Sequence, residues 1–520
     1  MGLQGTGPTG QPPISFMPSE SYLMIFFCLF FNSVCIAELA RFGQKGLQYH
    51  GFGASCEKLT ALPATEAFQG RLNMKNCQKS VGFKHFAFWT VTKKGIQLGL
   101  ALAVLAAVFV TNAKADDPIA AWNEIAEKAV KTAGHPLPVT SVEFAIVHLA
   151  IYDAVESIDH RYEPYHALVP NATGSLSAAA AKAGHDALVG LFPGQSGILD
   201  TAYANFLAAN GLEPLDPGVV VGAQAAAAIL ALRSNDGRFP ANPVPFLGSA
   251  AIGQWRPTPS LLPGTPPSLA PGLTPWLASV TPFTMKNNSQ FRVDPPPDLA
   301  SEEWASEYEE VKTVGSLTST TRTPEQTDIG YFWADSGPLL WQNALRYISR
   351  NYLSDIGDSA RMYALADAAL ADAQIACWES KYFYNFWRPI TAIRLGDQDD
   401  NPATEVDSEW EPLINTPNFP EYPSGHATVS GAVSHALRLF FGTDELNFQM
   451  TTTNPNAVQK TRSFTRFSQA EDGVVNARVY VGIHYRGTDR VSRTQGLRVA
   501  NWIFKNYFRP IGDARFGAQH

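Results

Sequence analysis

Apolar residues recur at helical spacing through most of the chain beyond its first 116 residues. Residues 119–133 alternate apolar and charged positions like an amphipathic helix, whereas residues 142–158 are apolar on most faces and predict a buried helix. Three Ala-rich stretches, separated by Pro or Gly, continue the pattern at residues 177–191, 198–210 and 218–233. Ala-rich faces allow helices to pack closely, as they do in bundles.

The second half of the chain has the same helical periods. Ser, Thr or Asp residues that suit a helix N-terminus precede several of its segments. The predicted helices cover residues 301–314, 323–335, 360–381, 426–441, 467–484 and 490–508. No alternating strand pattern persists in the sequence beyond a few residues. The pattern therefore predicts a mostly helical protein.

Residues 239–297 interrupt the helical pattern. Pro and Gly recur there every few residues, and no period survives. Trp255, Leu261 and Trp276 are apolar side chains that could anchor such a segment to the core. We predict a long surface excursion that contributes to the wall of a site, because loops of this length often cover ligands.

Composition and charge narrow the class of protein. Of the 520 residues, 45% are hydrophobic and 17% are charged, which is typical of a well-packed globular protein. The formal net charge of −8 argues against a general nucleic-acid binder. We therefore expect no nucleic-acid partner.

The N-terminal region has the marks of an export signal. Lys93 and Lys94 precede a short apolar run at residues 95–110, and an Ala-x-Ala sequence ends at Ala115. The apolar run is short for a membrane span, so we expect no stable span in the mature chain. The predicted organisation is an over-extended or leader segment at 1–92, a signal peptide at 93–115 and one helical domain at 116–520. Such a protein would be periplasmic or secreted.

The candidate chemistry centres on the sequence Asn-Phe-Pro-Glu-Tyr-Pro-Ser-Gly-His at residues 418–426. Ser424 and Gly425 stand where a predicted helix begins, and free N–H groups at a helix N-terminus bind tetrahedral anions well. Gly425 lets the backbone approach a ligand, and His426 adds a side chain that titrates near neutral pH. A Ser-capped helix with an incidental His is the alternative reading of this stretch alone.

Two flanking segments add cations to this site. Lys381 and Arg388 are seven residues apart, which is two helical turns, so both can project from one face. Arg478 and His484 are six residues apart and could meet the same ligand. Three cations, a Ser-Gly anion site and two His residues together predict an oxyanion site.

The order and spacing of these residues resemble those of a known superfamily. Lys-x6-Arg-Pro, Pro-Ser-Gly-His and Arg-x5-His follow one another in this chain, as in the vanadium-dependent haloperoxidases and the related type 2 phosphatidic acid phosphatases. The sequences Phe-Trp-Arg-Pro at 386–389 and Gly-Ile-His-Tyr-Arg at 482–486 are more similar to the haloperoxidases. The resemblance covers roughly residues 117–510 and implies an all-α helical bundle with one site near its core.

The resemblance also implies a vanadate cofactor and a set of roles. His484 is expected to bind the vanadium, and His426 is expected to be the acid–base group. Lys381 is expected to polarise bound hydrogen peroxide before a halide attacks it. The residues expected to bind vanadate or phosphate are Lys381, Arg388, Ser424, Gly425, Arg478 and His484. The implied small-molecule partners are hydrogen peroxide, a halide and an organic acceptor, and the product is hypohalous acid.

Two other functions use the same residues. In a phosphatase of the superfamily, His484 would attack phosphorus to form a phosphohistidine and His426 would protonate the leaving alcohol. Many of those phosphatases carry Asp four residues after the last His, whereas this chain has Thr488 there and Asp489 next. A non-catalytic helical protein that binds oxyanions is the third hypothesis, and it predicts vanadate binding without turnover.

We call the residues expected to bind the oxyanion the anion cage; they are Lys381, Arg388, Ser424, Gly425, Arg478 and His484. The resemblance alone assigns roles to residues outside this cage. Trp378 and Phe419 match aromatic positions of the halide pocket, although ordinary core aromatics would occupy the same places. Asp335 is expected to pair with Arg478, as a carboxylate does in fungal chloroperoxidases. Asp489 is a further candidate because of its offset from the phosphatase pattern.

Overall fold

The structure is a computed structural model that describes residues 117–259 and 269–512. The leader and signal peptide predicted at 1–92 and 93–115 therefore lie outside the described residues. The first half of the described chain forms helices α1 (Pro118–Ala133), α2 (Leu137–Asp159), α3 (Leu176–Leu191), α4 (Ser196–Asn210) and α5 (Pro217–Leu232). Each coincides with a helix that hydrophobic spacing predicted.

The second half adds a longer series of helices and one hairpin. The helices are α6 (Glu302–Val314), α7 (Pro324–Phe332), α8 (Gly337–Tyr352), α9 (Ile356–Tyr384), α10 (Pro389–Arg394), α11 (Gly425–Phe441), α12 (Phe467–Tyr480) and α13 (Arg486–Asn506). The strands are β1 (Glu445–Thr451) and β2 (Thr461–Arg466). The protein is mostly helical, as predicted.

Local sequence explains where several helices begin. The Asp117 side chain accepts a hydrogen bond from the Ile119 N–H at 2.9 Å and caps α1. At α7, Thr323 and Gln326 form a capping box, in which each side chain bonds the backbone N–H of the other residue. Pro324 fits the first turn of α7 because its missing N–H has no partner in a helix anyway.

Helix α9 forms the centre of the bundle. It packs against α2 on one side and against α11 and α13 on the other, and α11 in turn packs along α13. Most of its side chains are buried, including Cys377, Lys381 and the acidic Asp367 and Asp372. A helix buried on this scale holds its polar groups rigidly, so it can position a site inside the protein.

Helix α2 is apolar enough, and long enough, to cross a membrane by length and composition. The structure buries the whole of its most apolar window inside the bundle. Its Asp153 carboxylate is paired there and accepts the N–H groups of Tyr165 at 2.7 Å, His166 at 3.0 Å and Ala167 at 2.9 Å. The helix therefore serves as the core element that its hydrophobic pattern predicted.

The Pro-rich excursion at 239–297 is tied to the bundle by backbone hydrogen bonds. Asp372 of α9 accepts the N–H groups of Phe283 at 2.7 Å and Thr284 at 2.8 Å. Trp255 is fully buried, as expected of an anchor, and its N–H donates to the Asn385 carbonyl at 2.7 Å. The described parts of the excursion therefore contact α9 at its C-terminal end and near its middle.

The structure corrects three expectations from the sequence. Strands β1 and β2 form an antiparallel hairpin with Phe448 opposite Phe464, which the search for alternating patterns missed because each strand is short. Helix α8 was not predicted at all. Helix α12 ends at Tyr480, so His484 lies in the connection to α13 rather than on a helix.

Candidate active site

Two of the three predicted motifs line one cavity, and the third adjoins it through the contact of Arg388 with His484. Lys381 lies in the last turn of α9, Arg388 directly precedes α10, and Ser424 directly precedes α11. Arg478 lies in the last turn of α12, and His484 follows in the connection to α13. The cavity measures about 290 Å³, and its lining includes Gly425, His426, Arg478, His484, Gln374, Trp378, Phe419 and Asp335. Residues nearly a hundred positions apart thus share one site.

Arg388 is fully buried and only partly bonded. Its Nε donates to the Phe419 carbonyl at 2.9 Å, and its Nη1 donates to the Ile483 carbonyl at 2.8 Å and lies 3.1 Å from His484 Nε2. Its Nη2 has no hydrogen-bond partner. Burial lowers the pKa of Arg388 to about 10, and the nearby Arg478 cation acts in the same direction. The guanidinium remains a cation at neutral pH.

Two more buried donors at the site lack partners. Arg478 donates from Nη1 to the Trp333 carbonyl at 3.0 Å, whereas its Nε has no partner. The Ser424 hydroxyl has none either, although the Ser424 N–H donates to Ser492 Oγ at 2.7 Å. Burying a donor without an acceptor costs about 1–3 kcal/mol, so several such groups at one place call for a partner such as water or a bound anion. A tetrahedral oxyanion would satisfy all three donors, which are Arg388 Nη2, Arg478 Nε and Ser424 Oγ.

Gly425 adds the helix N-terminus to this set. As the first residue of α11, it has an N–H without an acceptor inside the helix. A Cβ at this position would lie 3.1 Å from the Trp378 ring, so glycine permits the close approach of α9 and α11. The N-terminal partial charge of α11 therefore faces the cavity beside Trp378 and favours an anion there.

His484 is buried and held at both ring nitrogens. Its Nδ1 lies 2.7 Å from Glu421 Oε1, and its Nε2 faces Arg388 Nη1 at 3.1 Å. Burial lowers the pKa of His484 well below its usual range, and the Arg388 and Lys381 cations add to this effect. The ring is therefore neutral at physiological pH.

His426 is neutral for a similar reason but faces the cavity differently. Its Nε2 lies 2.8 Å from the Asp335 carbonyl oxygen, which can only accept, so Nε2 carries the proton and Nδ1 the lone pair. Its desolvated surroundings and the Arg478 cation lower the pKa of His426 to about 3. His426 is a base held in one tautomer.

Lys381 is used in a way that the sequence did not indicate. Its ammonium donates to the carbonyl oxygens of Pro420 at 2.8 Å, Glu421 at 2.9 Å and Pro423. An ammonium has three protons, so these bonds use all of them. Burial lowers the pKa of Lys381 to about 7. Direct contact between Lys381 and an oxyanion stays a prediction, because it requires one of these bonds to be exchanged.

Glu421 is a site residue that the sequence reasoning missed. It is fully buried, and besides the 2.7 Å contact with His484 it accepts from the Tyr485 N–H at 3.3 Å and from Thr488 Oγ1 at 3.0 Å. Burial raises the pKa of Glu421, whereas the Arg388 and Lys381 cations and the donors at its oxygens favour the carboxylate. Its place two residues before Pro423, inside the central motif, was the one available signal.

The pairing predicted for Asp335 is wrong. Its carboxylate accepts from the Thr453 N–H at 2.6 Å, from Thr452 Oγ1 at 3.0 Å and from the Ser336 N–H at 2.7 Å. The carboxylate whose charge reaches Arg478 is instead the buried Asp489, which also lies beside Ser424. The connection after β1 supplies the hydrogen-bond donors to the Asp335 carboxylate. No spacing in the sequence reveals this tertiary contact.

The aromatic candidates do line the cavity. The Trp378 and Phe419 ring centroids are 5.1 Å apart, and Trp378 Nε1 donates to Thr274 Oγ1 at 3.1 Å. Lys381 Nζ lies 5.2 Å from the Phe419 centroid, and Arg388 Cζ lies 4.9 Å from it. Leu273, from the Pro-rich excursion, also lines the cavity, so this excursion contributes to the site wall as predicted.

Gln374 is a second residue that the sequence reasoning missed. It lies on α9 one turn before Trp378, is buried and lines the cavity. Its Nε2 has no hydrogen-bond partner. In the described ranges, 117–259 and 269–512, no group of three or more His, Cys, Asp or Glu side chains could hold a metal cation. The unpaired groups at this cavity thus suit an anion.

Comparisons with known proteins agree with this chemistry. A sequence model of the VCPO second helical-bundle domain matches residues 361–513, which contain the anion cage. The vanadium chloroperoxidase of Curvularia inaequalis is 27% identical over 410 residues, which are 62% of this chain. The match spans 65% of that protein's length.

Solved structures extend the match. A bacterial vanadium-dependent iodoperoxidase superposes with a TM-score of 0.65 at 26% identity, covering 76% of this chain and 97% of that one. A holo-type bacterial vanadium-dependent chloroperoxidase has the same fold, with a TM-score of 0.58 at 18% identity over 71% of this chain and 91% of that one. With its motifs at one cavity, the chain is similar in sequence and in fold to the vanadium haloperoxidases.

Proposed function

We propose that the protein is a vanadate-dependent haloperoxidase, which uses hydrogen peroxide to oxidise a halide to hypohalous acid. The observation that carries the proposal is the set of buried donors without partners, which are Arg388 Nη2, Arg478 Nε and Ser424 Oγ. Arg388 also contacts the neutral His484 at Nε2, which carries a lone pair, and the Arg478 cation acts on the same ring. Cationic donors around one neutral nitrogen ligand suit vanadate, an oxyanion whose metal also accepts a nitrogen.

The cage residues divide the work of holding vanadate. His484 Nε2 would bind the vanadium, and the Arg388 and Arg478 guanidinium groups would compensate the charge of the oxygens. The Ser424 hydroxyl and the Gly425 N–H would add neutral donors. When bound, vanadate supplies a Lewis-acid centre that activates hydrogen peroxide.

His426 moves the proton in this proposal. Its Nε2–H is held by the Asp335 carbonyl, which leaves the Nδ1 lone pair as the basic atom of the ring. The cavity lies beside His426, so Nδ1 can take the proton that hydrogen peroxide releases. The low pKa in the anion-free protein keeps the ring neutral, and the negative charge of a bound anion would raise the pKa towards the range of a general base.

The cavity wall suits the other two substrates. Trp378 and Phe419 offer aromatic edges to a halide, and Gln374 offers an amide N–H. Leu137, Ile414 and other apolar residues line the remainder of the cavity. We propose that an apolar organic acceptor approaches along this side, where little water competes with the hypohalous acid.

The phosphatase of the same superfamily remains the second candidate because of one contact. A neutral His484 with a carboxylate at Nδ1 and a lone pair at Nε2 is also a suitable nucleophile for phosphorus. In that case the same cage would stabilise the charge of the transition state.

One experiment separates the candidates. The protein should be purified, loaded with orthovanadate and supplied with bromide, hydrogen peroxide and a phenol dye. We expect bromination that requires vanadate, and inhibition by inorganic phosphate because both anions compete for the cage. Efficient phosphomonoester hydrolysis without bromination would assign the protein to the phosphatases, and vanadate binding without either activity would make it a binding protein.

We also propose that the protein is exported. The support is the Lys-Lys pair, the short apolar run and the Ala-x-Ala sequence at 93–115. Sequencing the N-terminus of the exported protein should give a start near Asp116. A mature protein that retains residues 1–92 would contradict this organisation.

A further inference from the structure

We propose that Glu421 is the positioning residue of the His484 ligand, holding the Nδ1–H so that the Nε2 lone pair points at the bound anion. The role deepens the proposed function and rests on it, because it matters most when vanadium binds Nε2. Nothing in the motif spacing assigns Glu421 a role. Its contacts in the structure do.

The tautomer of His484 follows from its two neighbours. Arg388 Nη1 lies 3.1 Å from Nε2, and a guanidinium can only donate, so Nε2 must be the acceptor. The proton of the neutral ring therefore sits on Nδ1. Glu421 Oε1, at 2.7 Å, is the acceptor for it. Removing this acceptor would leave Nδ1–H buried and unpaired, and would free the ring to turn.

Glu421 is itself held on both sides. Thr488 Oγ1 donates to Oε2 at 3.0 Å, and the Tyr485 N–H reaches Oε1 at 3.3 Å. The backbone carbonyl of Glu421 accepts from Lys381 at 2.9 Å. One residue thus connects the three motifs, because Lys381, the loop before α11 and the connection before α13 all converge on it.

This arrangement also explains the departure at residue 488. Four residues after His484, the chain has Thr488, whose hydroxyl reaches Glu421 rather than the imidazole. The next residue, Asp489, lies near Ser424 and Arg478. The carboxylate that orients His484 therefore comes from the loop before α11, and the helix after the histidine supplies only its support. Such outer contacts fix the tautomer and orientation of metal-binding histidines in many proteins.

The test compares two anions in four proteins. Vanadate would bond to Nε2, whereas inorganic phosphate would bind the cage without such a bond, so the ratio of their affinities should report on His484. Glu421→Ala should lower vanadate affinity by roughly 10- to 100-fold, and phosphate affinity much less. Glu421→Gln keeps an acceptor oxygen and should restore most of the ratio. Glu156→Gln alters another fully buried glutamate, far along the chain on α2, and should leave the ratio unchanged.

Several results would overturn the role. Equal weakening of both anions in Glu421→Ala would mean general damage to the cage, and an unchanged ratio would mean no role at all. If the Ala variant does not fold, Thr488→Val replaces it, since it removes one support of the carboxylate. A few-fold fall in the ratio is then expected, and an unchanged ratio overturns the proposal.

A spectroscopic readout separates this role from the proposed function. In protein labelled with ¹⁵N-histidine, with His484→Asn used to assign the signal, wild-type His484 should show a protonated Nδ1 and an unprotonated Nε2. A protonated Nε2 would overturn the Glu421 role even if halogenation is confirmed. If wild-type protein binds phosphate but not vanadate, the haloperoxidase proposal fails, and the His484 tautomer still decides the role of Glu421.

Discussion

Two histidine–carboxylate pairs lie fully buried in different parts of this protein. His148 Nδ1 on α2 lies 2.6 Å from Asp367 Oδ2 on α9, and His484 Nδ1 lies 2.7 Å from Glu421 Oε1. Both pairs are almost inaccessible to solvent. Burial and pairing alone therefore do not distinguish a site from a structural contact.

The surroundings of the two pairs differ. Around His148, the Asn123 and Arg346 donors meet protein acceptors: Asn123 Nδ2 donates to Gln342 at 2.5 Å, and Arg346 Nη1 donates to Asn123 at 2.6 Å. The hydroxyl of Tyr363, whose ring stacks on His148, has no partner. Around His484, three cage donors lack partners and a cavity adjoins them. A closed network stabilises packing, whereas an open one beside a cavity has capacity for a ligand.

The largest expected effect on activity comes from a substitution in the open network around His484. His484→Ala should abolish vanadate binding and halogenation together, because it removes the nitrogen proposed to bind the vanadium. The loss of affinity should exceed the roughly 10- to 100-fold that outer contacts cost. Vanadate titration beside steady-state bromination measures both, and wild-type affinity in this variant would remove His484 from the site.

His426→Ala should separate binding from turnover. Arg388, Arg478 and His484 remain, so much of the vanadate affinity should persist. Turnover should fall by roughly 100-fold or more, as expected on losing a general acid–base group. The same two assays apply, and normal turnover, or a loss of binding equal to that of His484→Ala, would contradict the assigned role.

A substitution in the closed network around His148 should change the stability of the protein but not its anion binding. His148→Ala leaves Asp367 buried without its partner, which should lower the free energy of unfolding by about 3 kcal/mol or more. Vanadate affinity of the folded variant should match the wild type. Denaturant unfolding followed by circular dichroism, with anion titration as the control, checks this. A large loss of affinity would show that the two networks are coupled.

The pH dependence of anion binding should show whether Lys381 takes up a proton when an oxyanion binds. Burial lowers its pKa from 10.5 to about 7 in the anion-free protein. Between these values the unfolded chain holds more protons than the folded one, so this group's contribution to stability rises with pH and is lost as pH falls to 7. A bound oxyanion favours the charged ammonium, so phosphate affinity should fall from pH 7 to 9, by at most about 10-fold per unit.

Calorimetric titration with phosphate at pH 7, 8 and 9 measures this slope. Lys381→Met should bind more weakly and with a flatter dependence, because its side chain cannot take up the proton. An equally steep slope in Lys381→Met would assign the proton to another group, with Glu421 the first candidate.

The smallest expected effect is at the cavity wall. Phe419→His places a titratable ring where an aromatic edge now adjoins Trp378 and the cations. Halide dependence and its pH profile should change several-fold, with little change in vanadate affinity. Comparing bromide and iodide kinetics across pH tests this, and an unchanged halide profile would make Phe419 an ordinary core residue.

Much of this protein is determined by its sequence. Helical periods located most of the helices, because burial on one face imposes a spacing that is visible locally. The cage residues were identified by short spacings, and the structure brings Arg388, Ser424, Gly425, Arg478 and His484 to one site. Those spacings are local properties of helices and their ends, so a sequence can carry them.

The partners of these residues were decided only by the tertiary structure. Glu421 and His484 are 63 positions apart, and no period in the sequence relates them. Asp335 was expected to reach Arg478, but the connection after β1 captures its carboxylate. The Lys381 ammonium donates its hydrogen bonds to carbonyl oxygens of the loop before α11. Hydrogen bonds of this kind depend on which donor and acceptor arrive at the same place, and packing of the whole bundle decides that.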